Sequence, residues 1–149
     1  MDIQHLSEVE LFKGLPETFL REILGFCAER NVKNGDVVFN AQDEARYLFV
    51  LLEGSVAIRV NLTSRPESVT LSYINRPYST FGWSGVVSPF HYTATAVCDE
   101  DSRLLQIDGH RLMALLEKHP EHGFTVMRRM TEIISNRLRN SHLALLKTL

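Results

Sequence analysis

The chain has 149 residues, 44% of them hydrophobic and 23% charged, with a formal net charge of −2. That is enough to bury one good core, so a single domain over residues 1–149 is expected, and the charge balance leaves no footprint for nucleic acid or an anionic membrane. No window approaches about 18 consecutive apolar residues, and the opening Met-Asp-Ile-Gln-His-Leu-Ser has neither the basic nor the apolar region of a leader, so a soluble cytoplasmic protein with no membrane partner is expected.

Ser7 reads as an N-cap with Glu10 three residues on, opening a short helix through Leu11, Phe12 and Leu15 that Pro16 stops. Pro16 then begins a second helix in which Phe19, Leu20, Ile23, Leu24 and Cys27 recur at helical spacing as far as Asn31. Residues 1–31 are thus expected to be helical. Over residues 32–107 the pattern turns to short β-rich runs at 37–39, 47–52, 55–60, 69–74, 92–97 and 103–107, separated by turns such as Asn34-Gly35-Asp36 and Glu53-Gly54-Ser55. Such spacing argues for an antiparallel sandwich or barrel, with a polar hairpin loop at 61–68 that contains Thr63, Ser64 and Pro66. Val50, Leu52, Val56, Ile58, Leu71, Val97, Leu105 and Ile107 are expected in its core.

Residues 108–149 return to a helical period. Asp108 can cap a helix carrying Leu112, Leu115 and Leu116, which His119-Pro120 ends, and a longer helix follows over 121–147. At 1.5 Å per residue roughly 25 helical residues span about 38 Å, longer than a small barrel is wide, and the apolar stripe stays apolar at Leu143-Ala144-Leu145-Leu146. A homodimer is therefore expected along this helix, with Met127, Met130, Ile134, Leu138 and Leu145 at the seam. Cys27 and Cys98 form no CxxC pair and are too few for an iron–sulfur cluster; two buried reduced thiols are expected.

The most informative stretch is 81–97, Phe-Gly-Trp-Ser-Gly-Val-Val-Ser-Pro-Phe-His-Tyr-Thr-Ala-Thr-Ala-Val. Its glycines let the backbone pass close to a ligand, and a short helix starting there would aim unpaired N–H groups at an anion. Residues 11–16 (Leu-Phe-Lys-Gly-Leu-Pro), 34–39 (Asn-Gly-Asp-Val-Val-Phe), 48–56 (Leu-Phe-Val-Leu-Leu-Glu-Gly-Ser-Val), Phe81-Gly82 and Thr93-Ala94-Thr95 complete a pattern. Taken together they make nearly the whole chain resemble the cyclic nucleotide-binding domain of the catabolite activator protein and its relatives. The sequence departs from that family at Gln42, where a Gly-Asp turn usually has its glycine.

The resemblance implies an antiparallel jelly-roll barrel, mainly β, with short N-terminal helices and a long C-terminal dimerisation helix. It also implies a small-molecule, cyclic nucleotide-like effector-binding sensor or regulatory domain that acts as a homodimer. On it, residues 81–90 are the phosphate-binding cassette, and the ligand-binding residues are Phe81, Gly82, Trp83, Ser84, Gly85, His91, Tyr92, Thr93 and Ser141. Two family groups are replaced: Trp83 stands where a glutamate receives the ribose hydroxyl, and Tyr92 where an arginine neutralises the cyclic phosphate, while Thr93 keeps the hydroxyl. A guanidinium–phosphate pair contributes about 1.5–3 kcal/mol, so its loss weakens a nucleotide site tenfold or more. No cofactor is certain; a cyclic nucleotide or another small anionic effector is the expected class. Ser84, Thr93, the amides near Gly85 and a protonated His91 are the substitutes on offer, and His91 would strengthen anion binding as pH falls toward about 6. Trp83 either plugs the pocket or stacks on a planar ligand. Ser141 falls where the family presents a hydroxyl to the nucleobase.

Other readings stand beside this one. A ligand-free dimeric interaction module would use Arg128, Arg129, Arg137, Arg139 and Lys147 toward a further protein partner, although a solvated helix face accounts for them as well. A haem sensor has His91 and Cys98 by residue type alone. A cupin-like metalloenzyme lacks His-x-His, and His110, His119 and His122 sit at a polar helix junction, so no enzyme activity and no metal are expected. The family's transcription factors continue into a helix-turn-helix, for which no residues follow Leu149, so no direct DNA binding is expected.

Overall fold

The computed structural model describes residues 1–63 and 66–149. Eight strands form two four-stranded antiparallel sheets. The first has the order β1 (Cys27–Val32), β8 (Ser102–Asp108), β3 (Tyr47–Glu53), β6 (Thr80–Phe81), and the second β2 (Val37–Phe39), β7 (Thr95–Cys98), β4 (Val56–Asn61), β5 (Ser68–Ile74). The two sheets make the expected jelly roll. Helices α1 (Ile3–Leu6) and α2 (Glu17–Leu24) precede it, and α3 (Gly109–Lys118) and α4 (Pro120–Leu146) follow.

Strand β3 reads as an almost unbroken apolar run because both of its faces are covered. Leu48 and Val50 pack with Leu105 and Ile107 of β8 against the helices, while Phe49 and Leu51 join Leu104, Val56 and Ile74 between the sheets. The four residues Val50, Val56, Leu105 and Ile107 are buried as expected, whereas Leu52, Ile58, Leu71 and Val97 are only half-buried. Ile58 and Leu71 leave the core because they face a cavity.

The N-terminal expectation needs two corrections. Asp2, not Ser7, caps α1, its carboxylate accepting from the His5 amide, and Ser7 lies past the helix with its hydroxyl on the Gln4 carbonyl. The second helix ends at Leu24, and Cys27–Val32 is strand, paired antiparallel with β8 from Cys27 opposite Ile107 to Val32 opposite Ser102. The helical spacing of Cys27 is a coincidence of local period, overridden by a sheet edge supplied from 75 or so residues away. Strand β6 is only two residues long and leaves no periodic signal. The β4–β5 hairpin closes as read, with Asn61 opposite Ser68, although Ser64 of its loop lies outside the described residues.

Asp108 caps α3 through its bond from the Arg111 amide. The 27-residue α4 starts on Pro120 at its first turn and divides in two. Gly123, Val126 and Met130 are buried in the chain's own core, so Met130 (1% exposed) is not available to a seam. Beyond Ile134 the helix runs along β5 with Leu138, Leu143 and Leu146 each more than half exposed.

Candidate functional site

A cavity of about 300 Å³ lies where the cassette, the β4–β5 hairpin and α4 meet. Its barrel wall is mostly apolar, with Phe39, Ile58, Leu71, Phe81 and Ala94 beside the Ser72 hydroxyl. Trp83 and Ser84 of the short 3₁₀ turn Trp83–Gly85, with Gly82 before it, form one rim, and Tyr92 and Thr93 another. The helix wall is Ile134, Arg137, Leu138 and Ser141, which recur every three or four residues and so share one face of α4.

Gly82 sets the cassette's path. Its φ of 76° is left-handed, and a Cβ there would come within 3.1 Å of the Phe49 ring and 3.3 Å of the Phe39 ring. The chain can therefore turn out of β6 over an aromatic floor only with glycine at this position.

Tyr92 belongs to that floor. It is 5% exposed and stacks on Phe39 with centroids 3.7 Å apart and planes 10° from parallel. Its hydroxyl donates to the Tyr47 carbonyl at 2.7 Å, and burial pushes its pKa up to about 12. The Tyr92 side chain is therefore a neutral, buried ring that brings no charge to the cavity. Trp83 lines the cavity and leaves it open, which decides against the plugged pocket.

Of the expected site residues, Phe81, Gly82, Trp83, Ser84, Tyr92, Thr93 and Ser141 come together around the cavity. His91 and Gly85 do not. His91 is exposed, with Nδ1 2.9 Å from the Pro89 carbonyl. Gly85 is buried against the Tyr47 backbone, where a side chain would collide, so it serves packing. The Gly85 and Val86 amides are also committed, to the Gly82 and Trp83 carbonyls at 3.1 and 2.9 Å, and are not free for an anion.

The residue that sequence reasoning misplaced is Arg137. It points inward: Nη2 donates to the Thr80 carbonyl at 2.8 Å, and Cζ lies 5.9 Å from the centre of the Trp83 ring. Burial lowers its pKa, opposed by the charge of Glu10, yet a guanidinium remains protonated at neutral pH. Among the described residues no carboxylate lies within ion-pair distance of it. The signal was its position one turn before Ser141, on the same helix face. Arg129 likewise turns inward, donating to the carbonyls of Leu11 at 3.2 Å and Lys13 at 2.6 Å, so neither arginine belongs to an outer partner surface.

Among the described residues there is no group of three His, Cys, Asp or Glu side chains that could hold a metal ion. His110 packs on Phe90, while His119 and His122 pack on Phe19. Cys27 and Cys98 are both free thiols, Cys27 half-buried and Cys98 buried. No helix among the described residues is long and apolar enough to cross a membrane.

Comparison with known proteins agrees with this architecture. The chain is 26% identical over 132 residues to a protein named for a potassium channel in Rhodopseudomonas palustris, an alignment covering 89% of the chain but 30% of that relative. The chain therefore spans less than a third of this relative's length. A solved protein of Geobacter metallireducens named for cyclic nucleotide binding superposes with a TM-score of 0.75 at 28% identity, covering 93% of this chain and 98% of that one. A cyclic nucleotide-binding domain of Methylobacillus flagellatus has a TM-score of 0.83 at 16% identity, covering 99% of this chain and 84% of that one. The family model of the cyclic nucleotide-binding domain matches residues 29–119, more than half of the chain. The chain belongs to the cyclic nucleotide-binding domain family.

Proposed function

We propose that the chain is a small-molecule effector-binding regulatory domain that works as a homodimer along α4, and that the cavity between cassette and α4 is its effector site. One observation carries the reading: the cavity's two walls come from different parts of the fold, the barrel and the C-terminal helix. A ligand touching both interacts differently with each arrangement of helix on barrel, which is what a ligand needs to shift a conformational equilibrium. The half-exposed Leu138 lines the cavity and also faces outward, so a second α4 laid on Leu138, Leu143 and Leu146 would cover the cavity's flank.

The effector is a small anion held without the family's cassette glutamate and arginine. Trp83 and Tyr92 cannot replace their charges, and cyclic AMP is expected to bind weakly or not at all. A thermal-shift screen of cyclic AMP, cyclic GMP, cyclic dinucleotides and small organic anions tests the sensor reading, because a ligand selective for the folded state raises its melting temperature. At least one compound is expected to raise it. No shift across a broad screen would favour the interaction module instead. Sedimentation at micromolar concentration is expected to give a dimer, and a clean monomer would remove the α4 seam.

A further inference from the structure

The cavity places a single guanidinium against walls that are otherwise aliphatic, aromatic or hydroxylic. Among the described lining residues Arg137 is the one charged group; Ser72, Ser84, Thr93 and Ser141 supply hydroxyls. Of Arg137's five N–H donors, the bond to the Thr80 carbonyl uses one. Glu10, the nearby carboxylate that opposes the lowering of its pKa, accepts from the Thr80 amide through Oε1 at 2.7 Å and lines with Arg137 a second groove, outside this cavity, without coming within ion-pair distance of it. A half-buried cation with donors to spare and no ion pair is costly unless an anion completes it.

The rest of the cavity limits which anion that is. A cyclic nucleotide brings ribose oxygens, base edges and a phosphate, and each polar group buried without a partner costs about 1–3 kcal/mol. Ile58, Leu71, Ile134 and Leu138 offer such groups nothing. A molecule with one charged end and an apolar body loses nothing on those walls, and the planar guanidinium fork matches a carboxylate with two parallel hydrogen bonds.

We propose that the effector is a small apolar monocarboxylate, its carboxylate paired with Arg137 and its hydrocarbon body lying along Ile58, Leu71, Ile134 and Leu138. The proposal rests on reading the cavity as an effector site, and it goes further by assigning the ligand's chemistry. Trp83 is the chain's sole tryptophan and lies at the cavity beside Arg137, so its fluorescence reports occupancy directly.

The full chain is titrated with 4-phenylbutyrate, with decanoate, with the neutral 4-phenylbutyramide and with cyclic AMP. At least one acid is expected to change Trp83 emission saturably, and 4-phenylbutyrate to bind about tenfold or more tighter than its amide. Preference for 4-phenylbutyrate marks an aryl body and preference for decanoate an alkyl one. Arg137→Gln should erase the acid-over-amide ratio and Arg137→Lys should keep part of it, while Arg128→Gln, on the exposed face, leaves it unchanged. Should Arg137→Gln fail to fold, the ratio on the unaltered chain and on Arg137→Lys still decides. Equal binding of acid and amide would overturn the proposal. So would failure of both acids to saturate by about 1 mM. If the acids fail while cyclic AMP or another compound in the thermal screen binds, the sensor reading survives and only the ligand class falls; if nothing binds, both fall.

Discussion

The two walls of the cavity have opposite characters. On the barrel wall the left-handed Gly82 turns the chain over Phe39 and Phe49, and the lining side chains are neutral. The helix wall holds the charge, with Arg137 and Ser141 one turn apart on α4. The barrel thus shapes the cavity while its charge sits on the helix. A ligand recognised by this site must engage α4 to gain its electrostatic contact.

Reinstating charge on the cassette wall should therefore break the fold rather than repair it. Tyr92→Arg removes the stack on Phe39 and the bond to the Tyr47 carbonyl, and buries a cation with no phosphate to meet it. A loss of about 3 kcal/mol or more in urea unfolding is expected. A loss below about 1 kcal/mol would show that the wall still accommodates a guanidinium.

Alkali should act on two acidic groups, Tyr92 of that wall and Cys27 of β1. Burial pushes Tyr92 and Cys27 up to about 12, above their ordinary values of 10.0 and 9.0. Between ordinary and raised values the folded chain holds protons that the unfolded chain releases, so stability falls as pH rises. This contribution is intact below about pH 9 and lost progressively toward about 12. Tyr92→Phe and Cys27→Ala should each flatten that decline in denaturant titrations from pH 8 to 11; an unchanged slope in both would count against burial as the cause.

A smaller effect sharpens the account of the scaffold. Gln42 adopts φ 77°, left-handed, where the family has glycine, and its amide donates to the Tyr92 carbonyl at 2.7 Å. Gln42→Gly should stabilise by about 1 kcal/mol, read as a raised urea midpoint with unchanged m-value. The smallest effect belongs to His91: His91→Ala should leave binding of any hit from the ligand screen within about twofold at pH 6 and pH 8, whereas a binding-competent imidazole would be lost with the ring.

The jelly roll was legible because β4 and β5 alternate apolar and polar positions, β3 is a short continuous apolar run, and Gly35 and Gly54 mark turns; so was α4, whose length and stripe are local properties. Strand β1 was not, since Ala28-Glu29-Arg30-Asn31 is a polar edge strand whose state is decided by pairing with β8. The sequence also located most of the cavity's rim through Phe81-Gly82 and Thr93. It missed that Tyr92 is floor rather than ligand, because its stacking partner Phe39 lies 53 positions away in the chain. Arg137 looked like a surface charge on a helix rich in arginine. Only the packing of α4 on the N-terminal segment and the barrel shows that Arg129 and Arg137 face inward.

The most direct test of the divided cavity is a calorimetric titration of cyclic AMP into the full chain at neutral pH. With neither carboxylate nor cation on the cassette wall, the expected dissociation constant is weaker than low-micromolar, or no heat is seen. A low-micromolar or tighter constant would contradict the account, since it would mean that the nucleotide binds strongly with no charged side chain on that wall.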